Sequence, residues 1–312
     1  MENFDILLKK YADFIVRVGV NPQPGQTLII NCCLEAAPLA RLCVRSAYEA
    51  GARDVLVNWS DNDVSRSRME LGSEEALSDF KSWQLRRYLD YAESEGGVCV
   101  LHIHADDPEV YAGLDGAKIS RVNAGQRKFM APWREYTMND RVQWSIAAMP
   151  SAPWAKKMFP DLDTDAAIEK LWQLIFDVCR VTGGDPVGEW KAHLDRLMTL
   201  RDKMNAFDLE SVHFKSSNGT DLTVGLADKA SWESAGSRNE KGVEFLPNIP
   251  TEEVFTAPHK DKVNGVVYGT KPYVFNGQLI KGFHVTFKDG RVVEHGAEEG
   301  AELLGQLLDT DE

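Results

Sequence analysis

TLIINCC, residues 27–33, decides how this chain folds. It is a short, continuous apolar run, not an alternating one. A strand that is apolar on both faces is covered on both faces, which is the mark of a parallel sheet with helices above and below it. The flanks agree. NPQPGQ (21–26) breaks the element before it, and residues 36–51 carry a helical pattern that stops at Gly51. DVLVNWS (54–60) then reads as a second strand. Strand, helix, strand is a β-α-β unit.

Outward from this unit the same style continues. Residues 3–18 read as a helix, with Phe4, Leu7, Leu8, Tyr11, Phe14, Ile15 and Val18 on one stripe. GGVCVLHIHA (96–105) is a third buried strand and VQWSIAA (142–148) a fourth. Helices fit between them. Residues 1 to about 160 therefore predict an open, doubly wound α/β domain with a mostly parallel sheet. Folds of that kind often bind dinucleotides, but NCCLEAAPLA follows the first strand, with no G-x-G-x-x-G cradle for a phosphate. The site excludes the nucleotide, whatever the fold. Residues 163–181 form a further helix. Ile168, Leu171, Trp172, Ile175, Val178 and Cys179 fall on one face, and Asp163 or Thr164 caps it. TGGDP (182–186) ends it, and another helix spans 186–205.

After about residue 207 the pattern changes. SVHFKSSNGTDLTVGL is a hairpin signal turning at Asn218-Gly219. Further turns are expected at Asn264-Gly265, Asn276-Gly277 and Asp289-Gly290, between runs such as GVVYGT, LIKGFHVTF and RVVEH. A helix over 297–309 follows. This predicts an α+β domain rich in antiparallel hairpins. The expected division is 1–185, an α/β domain with its connecting helix, and 186–312, a second domain.

A net charge of −13 over 312 residues, with no Lys/Arg block, argues against nucleic acid or an anionic membrane as a partner. The five cysteines (32, 33, 43, 99 and 179) include no C-x-x-C pair, and most lie in apolar surroundings. They read as reduced core residues of a cytosolic protein. The start, MENFDILLKKYADF, is amphipathic with early acids, unlike a signal peptide. No apolar run approaches the ~18 residues of a membrane span. The expectation is a soluble, cytoplasmic protein.

Three kinds of chemistry compete. His102-Ile103-His104 puts two imidazoles on one face of a strand, where they can share a metal, with Asp106 and Asp107 close behind. The other histidines (193, 213, 259, 284 and 295) show no H-E-x-x-H pairing, so strand-end residues with ordinary hydrogen bonds are the simpler reading. A serine nucleophile has no G-x-S-x-G elbow, and Ser234-Ala235-Gly236-Ser237 lacks the flanking pattern. Cys32-Cys33 has apolar rather than electropositive neighbours. The third candidate is FLPNIPTEEVFTAP (245–258). There Glu252 and Glu253 run straight into Val254-Phe255. In an extended segment the two acids face opposite sides, so one of them serves a given site. Val254 and Phe255 suggest that the segment is packed. A buried carboxylate needs a cation, and physics leaves a metal and an Arg or Lys both open.

FLPNIPTEEVFTAPHK closely resembles a segment of the M29 family of metallo-aminopeptidases, the thermophilic group of aminopeptidase T, AmpS and PepS. KYADFIVRVGVNPQPGQTL is similar to that family's opening. WAKKMFPDLDTDAAIEKLWQLIFDVCRV (154–181), NGTDLTVGL, SWESAGSRN and KPYVFNGQLIKGFHVTFKDGRVV match further segments in the same order. The resemblance covers essentially the whole chain. It implies a cytoplasmic homodimer whose subunits cut N-terminal residues from peptides with two divalent metal ions, zinc or cobalt. The ions would activate a bridging water and polarise the scissile carbonyl, with a further Glu as general base.

The family's first metal ligand maps onto Glu253 and leaves Glu252 as a variable neighbour, while His102, His104 and His259 are not ligands in the family pattern. The remaining Glu, His and Asp ligands and an active-site Tyr are expected beyond residue 312, after LLGQLLDTDE (303–312). The chain is thus expected to hold only the first part of the catalytic domain, C-terminally incomplete, with little activity and weak or no metal binding of its own. The alternative is a non-catalytic short form that serves as a peptide-binding or dimerisation module.

Overall fold

The computed structural model describes residues 3–309. The chain divides into two compact units. The first comprises Met1–Asp107, Arg121–Asp195 and Ala235–Glu252, and the second Pro108–Ser120, Arg196–Ser234 and Glu253–Glu312. Two helices, Gly116–Phe129 and Pro186–Ala206, contribute residues to both.

The first unit is built on four parallel strands: β1 (Thr27–Cys33), β2 (Asp54–Ser60), β3 (Val98–His104) and β4 (Trp144–Ala148). Both apolar runs that announced the fold, 27–33 and 54–60, are strands over those same residues. The sheet order is β2-β1-β3-β4, so the chain steps outward from β1 to β2 and then crosses back past β1 to β3.

Helices cover both faces. On one, Leu28, Ile30 and Cys32 of β1 meet Tyr11 and Phe14 of the helix Phe4–Phe14, Leu39 of Ala37–Glu49, and Leu171 and Phe176 of Thr164–Val178. On the other, Ile29, Val98 and Val100 meet Leu85, Tyr88 and Leu89 of Ser82–Ala92 and Trp133 of Ala131–Met138. That double cover explains why β1 is apolar at nearly every position. The five cysteines are free and buried.

Aromatic side chains lock the larger face. Trp172 stacks on Phe176 at 5.0 Å, Phe4 meets Trp172 edge-on at 5.5 Å, and Trp190 stacks on Phe14 at 5.1 Å. Their polar tips are satisfied. Tyr11 Oη donates to the Ala148 carbonyl at 2.8 Å, and Trp190 Nε1 donates to the Cys179 carbonyl at 2.6 Å. Full burial of one such side chain stabilises by roughly 1.5–3 kcal/mol. Asp163 caps its helix as expected, accepting from the Ala166 amide at 2.9 Å. The expected face needs one correction. Val178 lies at the edge of the apolar stripe and is 46% exposed, while Phe176, on the other edge, is fully buried among the aromatics.

In the second unit a five-stranded antiparallel sheet runs in the order Arg291–Gly296, His284–Lys288, Pro258–Tyr268, Asp221–Leu226, Ser211–Lys215. A separate hairpin joins Tyr273–Phe275 to Gln278–Ile280. Asn276-Gly277 and Asp289-Gly290 turn as expected: φ is positive at both residues of each pair, the geometry of a type I′ hairpin. A small core of Ile280, Leu303 and Leu304 holds the helix Ala301–Leu308.

Asn264-Gly265 is not a turn. It lies inside Pro258–Tyr268, where Gly265 pairs with Phe287 on one side and Leu222 on the other. Gly265 has φ +117°, and a Cβ there would strike the Asp221 carbonyl oxygen. Asn264 Oδ1 accepts from the Asp289 amide at 2.8 Å. Two-sided strand pairing overrides the local turn preference, and the glycine marks a close backbone approach instead.

Candidate metal centre

The segment 245–258 begins as core. Phe245, Leu246 and Ile249 are buried. The Leu246 amide donates to the Gly19 carbonyl at 2.8 Å. The Ile146 amide donates to the Pro247 carbonyl at 2.8 Å, and the Ile249 amide to the Ile146 carbonyl at 2.9 Å. Residues 247–249 thus lie along β4 as a short parallel bridge centred on Asn248. The Ile249–Pro250 bond is cis.

Thr251 is buried, and its carbonyl accepts from His193 Nε2 at 2.9 Å. Arg180 Nη2 reaches His193 Nδ1 at 3.1 Å and Glu252 Oε1 at 2.9 Å. A guanidinium only donates and a carbonyl only accepts, so these partners assign His193 the Nε2–H tautomer. Glu252 Oε2 lies 3.3 Å from His193 Nε2. Arg180 in turn sits over the Trp190 ring at 4.9 Å and holds a left-handed φ of +56°. The carboxylate beside the apolar step does have a cationic partner, and that carboxylate is Glu252. It is not buried: its side chain is 64% exposed.

Glu253 differs from its neighbour. It is exposed and makes no hydrogen bond or ion pair with any described residue. It opens the stretch counted with the second unit. Beyond it, Val254 pairs with Ser234 and Phe255 with Glu233, and Thr256 Oγ1 donates to the Ser231 carbonyl at 2.7 Å. The packing expected of Val254-Phe255 is slight, since Phe255 is 50% exposed. The tightly packed part is 245–249.

His102 and His104 do share a face, their rings stacked 6.5 Å apart. His104 Nδ1 engages Asp106 Oδ2 at 2.9 Å. Burial, with His104 nearby, pushes the His102 imidazole down to about 4. Burial pushes the Cys32 and Cys33 thiols up to about 11 and Cys179 to about 12, the opposite of an activated nucleophile. Arg180 and His193 were not singled out from the sequence. The one available signal was an arginine set between the buried Cys179 and Val181, where an anion must be near.

Among the described residues no three His, Cys, Asp or Glu side chains gather closely enough to hold a metal ion. Among them, no helix is long and apolar enough to cross a membrane.

The family model described as thermophilic metalloprotease (M29) matches residues 4–312. Aminopeptidase 2 of Geobacillus stearothermophilus is 42% identical over all of this chain and 75% of its own length. Aminopeptidase AmpS of Bacillus subtilis is 38% identical, again over all of this chain and 75% of its own. The solved structure of wild-type AmpT from Thermus thermophilus superposes with a TM-score of 0.90 at 34% identity, covering 99% of this chain and 76% of that one. The mixed architecture of a parallel four-stranded sheet and antiparallel sheets is thus shared with that structure. With a match that runs from the first helix onward and relatives this similar along the whole chain, the protein belongs to the M29 family of thermophilic metalloproteases.

Proposed function

We propose that this chain belongs to an enzyme that removes N-terminal residues from peptides with two divalent metal ions, zinc or cobalt, and that Glu253 is the first ligand of that pair. Family membership supports the metallo-aminopeptidase class and its need for a divalent metal. One observation supports Glu253. Its neighbour Glu252 is tied to Arg180, while Glu253 itself is exposed and without a partner among the described residues. A carboxylate with no ion pair to break is the better placed of the two to take up a cation.

In this reading residues 1–185 are the α/β domain with its connecting helix, and residues 186–312 are the first part of the catalytic domain. The general base and the remaining ligands lie outside the 312 residues, so the chain alone binds metal weakly and turns over little. The complete enzyme is a cytoplasmic homodimer acting on peptide substrates.

The test is direct. Add zinc or cobalt to the 312-residue chain and assay a leucine or phenylalanine anilide. The expected result is little turnover, no lower in Glu253→Ala. Turnover at rates typical of the family, abolished by Glu253→Ala, would overturn the claim that the chain alone is inactive. Strong turnover that survives Glu253→Ala would remove Glu253 from the site.

A further inference from the structure

The carboxyl ends of β1, β2 and β3 carry a row of polar side chains that the aminopeptidase reading does not use. Asn58, Asn31 and His102 stand in one register across the three strands. Two residues earlier on each strand are Leu56, Ile29 and Val100, all in the core under the helices Ser82–Ala92 and Ala131–Met138. Side chains alternate along a strand, so the polar row continues that same face toward the strand ends.

A guanidinium sets the direction of the row. Arg87 Nη2 donates to Asn58 Oδ1, so Asn58 turns its Nδ2 toward Asn31 Oδ1, at 2.8 Å. Tyr88 Oη donates to the same Asn31 oxygen at 3.1 Å. Since arginine cannot accept, neither amide is free to flip. Asn31 Nδ2 is what remains. It is buried and has no hydrogen-bond partner. A buried donor left unpaired is costly, so such a group calls for an acceptor.

The place strengthens the point. The sheet order reverses between β1, which carries Asn31, and β3, which carries His102. In open α/β sheets small ligands settle outside the carboxyl ends of the strands at that switch. What the row presents is donors: the orphan amide and the further N–H groups of Arg87. The complementary group is a charged oxygen acceptor. Glu35 and Asp106, just past the ends of β1 and β3, both raise the Cys33 thiol and so lie nearby. Their charge opposes a phosphate dianion more than a monoanion.

We propose that Asn31, Asn58, Arg87 and His102 form a binding site for a small carboxylate at the β1/β3 switch point of the first unit.

The experiment titrates the isotope-labelled 312-residue protein with sodium acetate and follows the Asn31 side-chain amide and the His102 ring by NMR. Methylammonium chloride and inorganic phosphate at equal ionic strength are the comparison arms. Acetate is expected to give saturable shifts at both residues, methylammonium none, and phosphate weaker ones. Arg87→Gln is expected to weaken acetate by about tenfold, the value of one charge-assisted hydrogen bond. Asn31→Leu should abolish the response; if that variant does not fold, Arg87→Gln, at a partly exposed helical position, carries the test alone. Shifts that do not saturate, that persist at equal strength in Arg87→Gln, that methylammonium reproduces, or that phosphate produces more tightly would each overturn the proposal.

Discussion

The two units are held together by different means. In the first, a parallel sheet is buried on both faces, and Tyr11, Phe14, Phe176 and Trp190 are fully enclosed. In the second, the sheet is antiparallel, its strands are largely exposed on at least one side, and a small cluster gathers around Ile280, Leu303 and Leu304, with Leu222, Leu226 and Val285 buried as well. Apolar volume specifies the first unit; turns and close backbone approaches specify the second. The contrast teaches where each is vulnerable: the first to lost volume, the second to an added methyl group.

Four measurements break or sharpen that contrast. Trp190→Ala removes the side chain stacked on Phe14 and leaves a large cavity, so chemical denaturation should show a loss of about 3–5 kcal/mol. A loss below about 1 kcal/mol would mean that volume does not govern the first unit.

His102 tests the polar end of the same sheet. Burial lowers its pKa from 6.5 to about 4, so the unfolded chain takes up the proton first. The corresponding stability is complete above pH 6.5, falls as the pH drops toward 4 and is level below, by at most about 3 kcal/mol. Stability against pH for His102→Gln should lack that component. Parallel profiles for the two proteins would refute it.

Gly265→Ala addresses the second unit. Positive φ together with the Asp221 carbonyl should cost about 2 kcal/mol. Hydrogen exchange should quicken in the strands Asp221–Leu226 and Pro258–Tyr268 and not in β1. Protection lost equally in β1 would argue against separate specification.

The smallest effect belongs to the Arg180–Glu252 pair. Because Glu252 is mostly exposed, a double-mutant cycle with Arg180→Met and Glu252→Gln should give a coupling below about 1 kcal/mol. A coupling of several kcal/mol would make this ion pair a structural anchor on a par with Trp190.

Much of the first unit was legible in the sequence because a continuous apolar run of seven residues has few solutions, and β1 and β2 took the expected one. Asp163 was legible as a cap for a similar reason: the donor it satisfies is three residues away. Asn-Gly was a weaker guide. It names a local backbone preference, which held at Asn276-Gly277 where nothing competes. It failed at Asn264-Gly265, where strands on both sides claim the backbone. Partners distant in sequence were not legible at all. The acids before Val254-Phe255 raise the question of a cationic partner, but nothing near Glu252 names Arg180, 72 positions away. The polar row was hidden for another reason. Asn31 reads as a blemish in an apolar strand until register sets it beside Asn58 and His102. The metal role proposed for Glu253 was legible only through family resemblance, since one exposed acid carries no sequence signature of its own.

The short bridge between Ile146 and Asn248 has a consequence for how the chain is made. Without it, β4 would end the sheet with open amide and carbonyl groups, an invitation to pair with another molecule. The strip that closes this border is encoded roughly a hundred residues later, so during synthesis the border stands bare while the hairpins are still being made. Aggregation of nascent chains should therefore peak in ribosome-stalled products that contain β4 but stop before residue 245, and subside once residues 247–249 have emerged.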